Sequence, residues 1–158
     1  MARSIPPSGS GAQLDSFDRS IIEQLQGDGR MPYTKLAAAV GLSEAAVRQR
    51  VQRLIDSGTV QVVAVTDPLR LGLRRMAMIG IRTEGDTVAI ADQLRGIDDV
   101  EYVVITAGSF DLLAEVVVAD DDRLLELGNR IRAVPGVRST ESFIYLRLVK
   151  QTYAWGAH

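Results

Sequence analysis

Apolar positions change period along the chain, and that change divides it in two. From Leu14 to Asp56 they recur at helical spacing. Phe17, Ile21, Ile22 and Leu25 form an inward stripe, which predicts a first helix over about 14–25 capped by Asp15, Ser16 or Asp18. Gly27-Asp28-Gly29-Arg30 is a turn signal. Leu36, Ala37 and Val40 then fall at i, i+1 and i+4 and give a short second helix one apolar side. Gly41 ends that helix, and Ser43 is placed to cap a third. In the third, Val47, Val51, Leu54 and Ile55 make a stripe that leaves Arg48, Gln49, Gln52 and Arg53 largely on the opposite side. The β-rich run Val60 to Val65 follows Gly58-Thr59. It predicts a wing on the helical motif or a strand leading out to a second domain.

Past Val65 the pattern shortens to strand-like runs. Residues 66–73 read as a hinge, opened by Thr66-Asp67-Pro68. Then come strands over Met76–Arg82, Val100–Thr106, Leu112–Val118 and a long Val137–Lys150. Two helices interrupt them. One is capped at Gly85-Asp86 and turns Val88, Ala91 and Leu94 inward; the other opens on Asp120-Asp121-Asp122 and carries Leu124, Leu125, Leu127 and Ile131. Three adjacent acids before an apolar helix serve as an N-terminal cap rather than a metal site. Leu94 to Val100 and Ile131 to Val137 echo one another, each bringing a helix end through a turn into a strand. The order predicts an α+β chain: a winged helix-turn-helix domain over 14–65 and a ferredoxin-like βαββαβ domain over 74–150, its antiparallel sheet carrying two helices on one face. The other sheet face needs cover, and a second copy of the chain is the simplest cover, which predicts a homodimer. Residues 1–13, with Pro6-Pro7-Ser8-Gly9-Ser10-Gly11, read as a disordered leader without the apolar core of a secretory signal. Residues 151–158 form a tail in which Tyr153 and Trp155 suggest cover for an oligomer seam or an extension of the last strand, and His158 is a chain end, not a ligand.

Charge changes the picture. The net charge of −2 over 158 residues conceals an asymmetry. Residues 1–75 hold ten Lys or Arg against seven Asp or Glu, a net of +3; residues 76–158 hold eight against thirteen, a net of −5. A basic first half suits phosphate attraction, and the acidic half is held away from it. No apolar run reaches membrane length, and there is no cysteine, so the expectation is a cytoplasmic, nucleoid-associated protein without disulfides. No internal histidine, P-loop, GxGxxG or His/Cys metal cluster is present, so no catalytic residue, metal or cofactor is assigned.

The third helix has the layout of a helix that reads double-stranded DNA. Its early residues Ser43, Glu44, Ala45 and Ala46 face the groove floor, and Arg48 and Gln49 reach base edges or phosphates, being side chains capable of bidentate contacts to guanine and adenine. Lys35 and Arg53 are phosphate clamps, while Tyr33 and Thr34 open the preceding helix beside the DNA backbone. Arg50 either touches DNA or pairs with Asp18 or Asp56 inside the domain.

The chain from about Leu14 to Lys150 resembles the Lrp/AsnC family of bacterial and archaeal regulators. The resemblance rests on Leu14-Asp15 through Asp18, Asp28-Gly29-Arg30, Leu36-Ala37, Val40-Gly41-Leu42-Ser43, Arg50-Val51 through Arg53-Leu54, and Gly58. In the second half it rests on Thr106-Ala107-Gly108 with Phe110-Asp111, and on Val134-Pro135-Gly136-Val137 leading to Thr140-Glu141. What it implies is a transcription factor whose dimers stack into tetramers or octamers and take up a small effector, usually an amino acid, between dimers. It points to Thr106, Gly108, Ser109, Phe110 and Asp111 and to the facing Gly136, Val137, Thr140 and Ser142 as effector residues. On that reading Gly108 offers N–H groups to a carboxylate and Asp111 takes an ammonium. The alternative is that Gly108 is a plain hairpin turn, Asp111 a surface acid and Phe110 interface packing.

Overall fold

The computed structural model describes residues 14–151. The leader and the residues of the tail from Thr152 to His158 lie outside the described residues. The chain divides into two compact units, one holding residues 14–65 and the other residues 66–149.

The first unit is three helices: α1 (Ser16–Gly27), α2 (Tyr33–Val40) and α3 (Glu44–Asp56). Asp15 is the cap of α1. Its carboxylate accepts the Asp18 backbone N–H at 2.8 Å while Asp18 accepts the Asp15 N–H at 3.4 Å, a reciprocal capping box. That cap sets the phase of the helix, so Asp18 and Ile21 turn inward and Phe17 does not. Phe17, expected in the stripe, is 40% exposed and lies under the Arg50 guanidinium, 5.5 Å from it. Gly41 leaves α2 at φ 72°, the left-handed conformation a glycine adopts without strain. Ser43 caps α3, its Oγ accepting the Ala46 N–H at 3.2 Å. Ile21, Leu36, Ala37, Val47, Val51 and Leu54 form the core, each buried aliphatic side chain contributing about 1.5–3 kcal/mol. Val60 to Val65 forms no strand. Val60 N–H closes the end of α3 on Leu54 O at 3.0 Å, and Val62, Val63 and Val65 are exposed with no neighbouring strand to complete a ladder. The wing is therefore absent among the described residues.

The second unit opens with a 3₁₀ turn, Pro68–Leu71, capped by the Asp67 side chain on Leu69 N–H. Then come β1 (Arg75–Thr83), α4 (Thr87–Arg95), β2 (Val100–Ile105), β3 (Leu112–Val118), α5 (Asp121–Arg132) and β4 (Val137–Ile144). The sheet is antiparallel in the order β2-β3-β1-β4, the ferredoxin-like arrangement. Ala77, Ile79 and Ile81 of β1 and Leu112, Ala114, Val116 and Val118 of β3 alternate onto the face that the helices cover. Ile90, Leu94, Leu127 and Ile131 come down on them. Val88, expected inward, is more than half exposed, as is Leu125, because the Asp86 and Asp120 caps set helix phases that turn Ile90 and Leu127 to the sheet.

β4 stops at Ile144, well before Lys150, because its partner ends. Ala77 faces Ile144, Tyr145 N–H makes the last bond to Met76 O at 2.9 Å, and β1 begins only at Arg75. The echo between the two halves is backbone geometry. Asp99 and Gly136 hold equivalent positions in the two turns, with φ of 73° and 90°. Gly136 is required on packing grounds too, since a Cβ there would stand 2.6 Å from Ile90 Cδ1 and 2.9 Å from Glu84 O. Asp99 is held in place by Arg123, whose Nε donates to its carboxylate at 2.8 Å.

Candidate nucleic-acid interface and effector loop

α3 has a buried side, Val47-Val51-Leu54, and an exposed side carrying Glu44, Ala45, Arg48, Gln49 and Gln52. Arg48 is held on that side by two neighbours. Its Nη2 donates to Glu44 Oε1 at 2.9 Å, and its guanidinium lies 4.8 Å from the centre of the Tyr33 ring, so α2 and α3 together aim it outward. Thr34 and Lys35 are exposed at the start of α2. Ala46 is half-buried, and the Ser43 hydroxyl oxygen is engaged in capping.

The two arginines nearer the end of α3 point elsewhere. Arg50 Nη1 donates to Asp15 Oδ2 at 2.7 Å and to Asp18 Oδ1 at 2.8 Å, settling its partner as Asp18 with Asp15 rather than Asp56, which takes Gln52 Nε2. Arg53 Nη2 donates to both oxygens of Asp18 at 2.8 Å. Asp18 is only 3% exposed, and its negative charge is matched by these two guanidinium groups. The backbone N–H of Asp18, followed by Arg50, holds the Asp15 carboxyl below its ordinary range. Arg53, expected as a phosphate clamp, thus has its guanidinium on an internal carboxylate. The sequence offered Asp18 as a cap of the first helix and as one possible partner of Arg50; its pairing with Arg53, 35 positions away, was not anticipated.

In the second unit the loop between β2 and β3 is tied internally. Thr106 Oγ1 donates to Phe110 O at 2.6 Å, and Thr106 N–H donates to Asp111 O at 2.9 Å. Asp111 Oδ2 accepts the Thr83 N–H at 2.7 Å, at the register shift between Arg82 and Thr83, so half of its carboxylate is committed to the strand. Phe110 folds onto the sheet face away from the helices. Its ring occupies the space above Gly80, where a Cβ would be 2.7 Å from ring carbons, and meets Phe143 edge-on at 5.9 Å. Ser109 offers its carbonyl to Arg82 Nε at 3.0 Å, and Gly108 is exposed with open space at its Cα. Of the facing segment, Gly136 and Val137 serve the turn into β4, whereas Thr140 and Ser142 share its helix-side face opposite Ile81 and Ile79. Arg132 Nη1 donates to Thr140 Oγ1 at 3.5 Å. The sequence reading missed Arg82. Its only signal was an arginine closing an otherwise apolar strand.

A helical unit with an outward-facing polar third helix, followed by a ferredoxin-like unit with a structured β2–β3 loop, is the domain layout of a helix-turn-helix regulator. Residues 14–55 match the AsnC-type helix-turn-helix domain, and residues 76–155 match the Lrp/AsnC ligand binding domain. The chain belongs to the Lrp/AsnC family of transcriptional regulators. An uncharacterized HTH-type transcriptional regulator of Pyrococcus abyssi is 33% identical over 90% of this chain and 92% of its own length. The proline dehydrogenase transcriptional activator of Rhizobium radiobacter is 33% identical over 88% of this chain and 93% of its own. Among solved structures, the Mycobacterium tuberculosis leucine response regulatory protein superposes with a TM-score of 0.80 at 33% identity, covering 87% of this chain and 96% of that one. The M. tuberculosis feast or famine regulatory protein complexed with L-methionine gives 0.82 at 31%, covering 89% and 97%. The chain is thus a regulator and not an enzyme.

Proposed function

We propose that the chain is a sequence-specific DNA-binding regulator of amino-acid or nitrogen metabolism genes in the cytoplasm. Homodimers assemble into tetramers or octamers, and an amino acid bound between dimers modulates DNA binding. The outward presentation of Arg48 carries the DNA reading: its guanidinium is held by Glu44 and Tyr33 on the exposed side of α3, where a base edge is reached. Gln49 stands beside it, and Lys35, Thr34 and Tyr33 serve the phosphates. Arg50 and Arg53 act through Asp18 and fix the position of the reading helix. The two relatives named for proline dehydrogenase activation and for a methionine complex support the amino-acid part.

The test is a DNA-binding titration on the chain's own upstream region at two salt concentrations, with and without a pool of the twenty amino acids. Salt-sensitive binding that shifts with the pool is expected. Binding that ignores the pool would favour a ligand-independent architectural role. No binding to that region or to bulk DNA would overturn the reading.

A further inference from the structure

Five Lys or Arg and a single acid, Glu44, lie between Arg30 and Arg53. A carboxylate on a surface that approaches phosphates costs affinity, since its charge repels theirs. Glu44 is the first residue of α3 and stands on its exposed side, one turn before Arg48. The positive end of the helix and the i,i+4 spacing both favour an acid there. Neither feature uses the whole carboxylate. Oε1 accepts Arg48 Nη2 at 2.9 Å, while Oε2 accepts no hydrogen bond among the described residues.

Arg48 in turn keeps Nε and Nη1 without an acceptor among the described residues. The Tyr33 ring, 4.8 Å away at its centre, covers one face of the guanidinium and leaves its edge open. The pair therefore sets a fixed donor edge beside a free acceptor. In the major groove a guanidinium edge fits the O6 and N7 acceptors of guanine, and a carboxylate fits the N4 amino group of cytosine. Thymine O4 and guanine O6 and N7 repel a carboxylate, and in adenine N7 stands next to the amino group. Because Glu44 and Arg48 are bonded to each other, the bases they meet are close neighbours.

We propose that Glu44 is a specificity-determining residue whose carboxylate accepts from the N4 amino group of a cytosine within one base-pair step of the guanine met by Arg48. This rests on the DNA reading above and names the sequence that reading requires. The repulsion between Glu44 and phosphates weakens binding to every other sequence, so the residue exchanges affinity for discrimination.

The experiment uses the full chain and a pool of random DNA duplexes. Selection at one salt concentration recovers the preferred sites of the wild type, Glu44→Gln and Glu44→Ala. The best wild-type site is then remade with each base pair at every position and titrated against all three proteins. The wild type is expected to favour a cytosine beside a guanine by about fivefold to a hundredfold over thymine, the range of one well-formed base contact. Glu44→Gln is expected to move that position to adenine, which a glutamine meets through N6 and N7. Glu44→Ala is expected to level the four bases there, to keep the guanine preference and to bind bulk DNA more tightly than the wild type. A wild-type site without that cytosine, or unchanged base rankings in both variants, would overturn the proposal while sparing the DNA reading. So would an even loss of affinity across sequences with a lower melting temperature, which would leave Glu44 a role in α3 alone. A wild type that binds all sequences equally would remove the sequence-specific reading itself and the proposal with it.

Discussion

Arg53 reaches back to Asp18, donating one Nη to both carboxylate oxygens at 2.8 Å, so the end of α3 is fastened to the start of α1. Arg50 shares the same acceptor. Removing the carboxylate leaves Arg50 half-buried without it and breaks the capping box as well. Asp18→Ala is expected to lower the stability of the helical unit by about 2–3 kcal/mol in urea unfolding. A loss under about 0.5 kcal/mol, the range of an ordinary surface change, would remove this role.

Arg48 has no such internal acceptor, only an exposed partner one helical turn away. Arg48→Ala is expected to weaken specific DNA binding by about 1–3 kcal/mol while leaving the fold intact. Gel shifts that do not move would withdraw the assignment of α3 as the reading helix.

The paired turns at Asp99 and Gly136 make opposite demands. Gly136→Ala meets both a left-handed backbone and a clash with Ile90, and is expected to cost about 2–4 kcal/mol. Asp99→Gly relieves the same backbone conformation and gives up only a part-exposed contact with Arg123, so the net change should be within about 1 kcal/mol. Thermal denaturation of the two variants side by side checks the order.

Tyr145 donates its hydroxyl to Glu115 at 2.9 Å, and burial, then that carboxylate, push its pKa up to about 12 from 10.0. The folded state thus holds the phenolic proton more tightly than the unfolded chain. The stabilisation is complete below pH 10.0 and is lost as pH rises towards about 12. Tyr145→Phe should remove that alkaline loss, and spectrophotometric titration should find one of the four tyrosines ionising late. Coincident titration of all four would contradict the part-buried hydrogen bond to Glu115.

Asp111 braces the loop through the Thr83 N–H. Asp111→Ala should cost about 1–2 kcal/mol and blunt any effector response, whereas Asp111→Asn, which keeps an acceptor, should recover most of the stability. Calorimetric melting of both variants tests the pair.

What sequence could disclose followed the range of the forces involved. Caps at Asp15, Ser43, Asp86 and Asp120, and β3 over Leu112–Val118, depend on neighbours within a few residues and were legible there. Phe17 and Val88 were misplaced because a helix turned by one position still shows an apolar stripe, and the cap decides which phase is real. Val60–Val65 has strand composition, yet a strand is a pairing between segments and composition cannot supply the partner. The same limit applied to the sites. Arg48 and Gln49 were found from helical spacing alone. Asp18 with Arg53 and Arg82 on Phe110 are juxtapositions of distant residues.

Because β1 pairs antiparallel with β4, the first strand of the sheet begins beside the place where the last one ends: Ala77 faces Ile144, and Tyr145 bonds to Met76. The ferredoxin-like unit is thereby nearly a closed ring of chain. Its order of elements can be cut at an exposed turn such as that after Arg95 and rejoined across the old ends, and a reporter or a second module can be spliced into the seam, without unpairing the central strands.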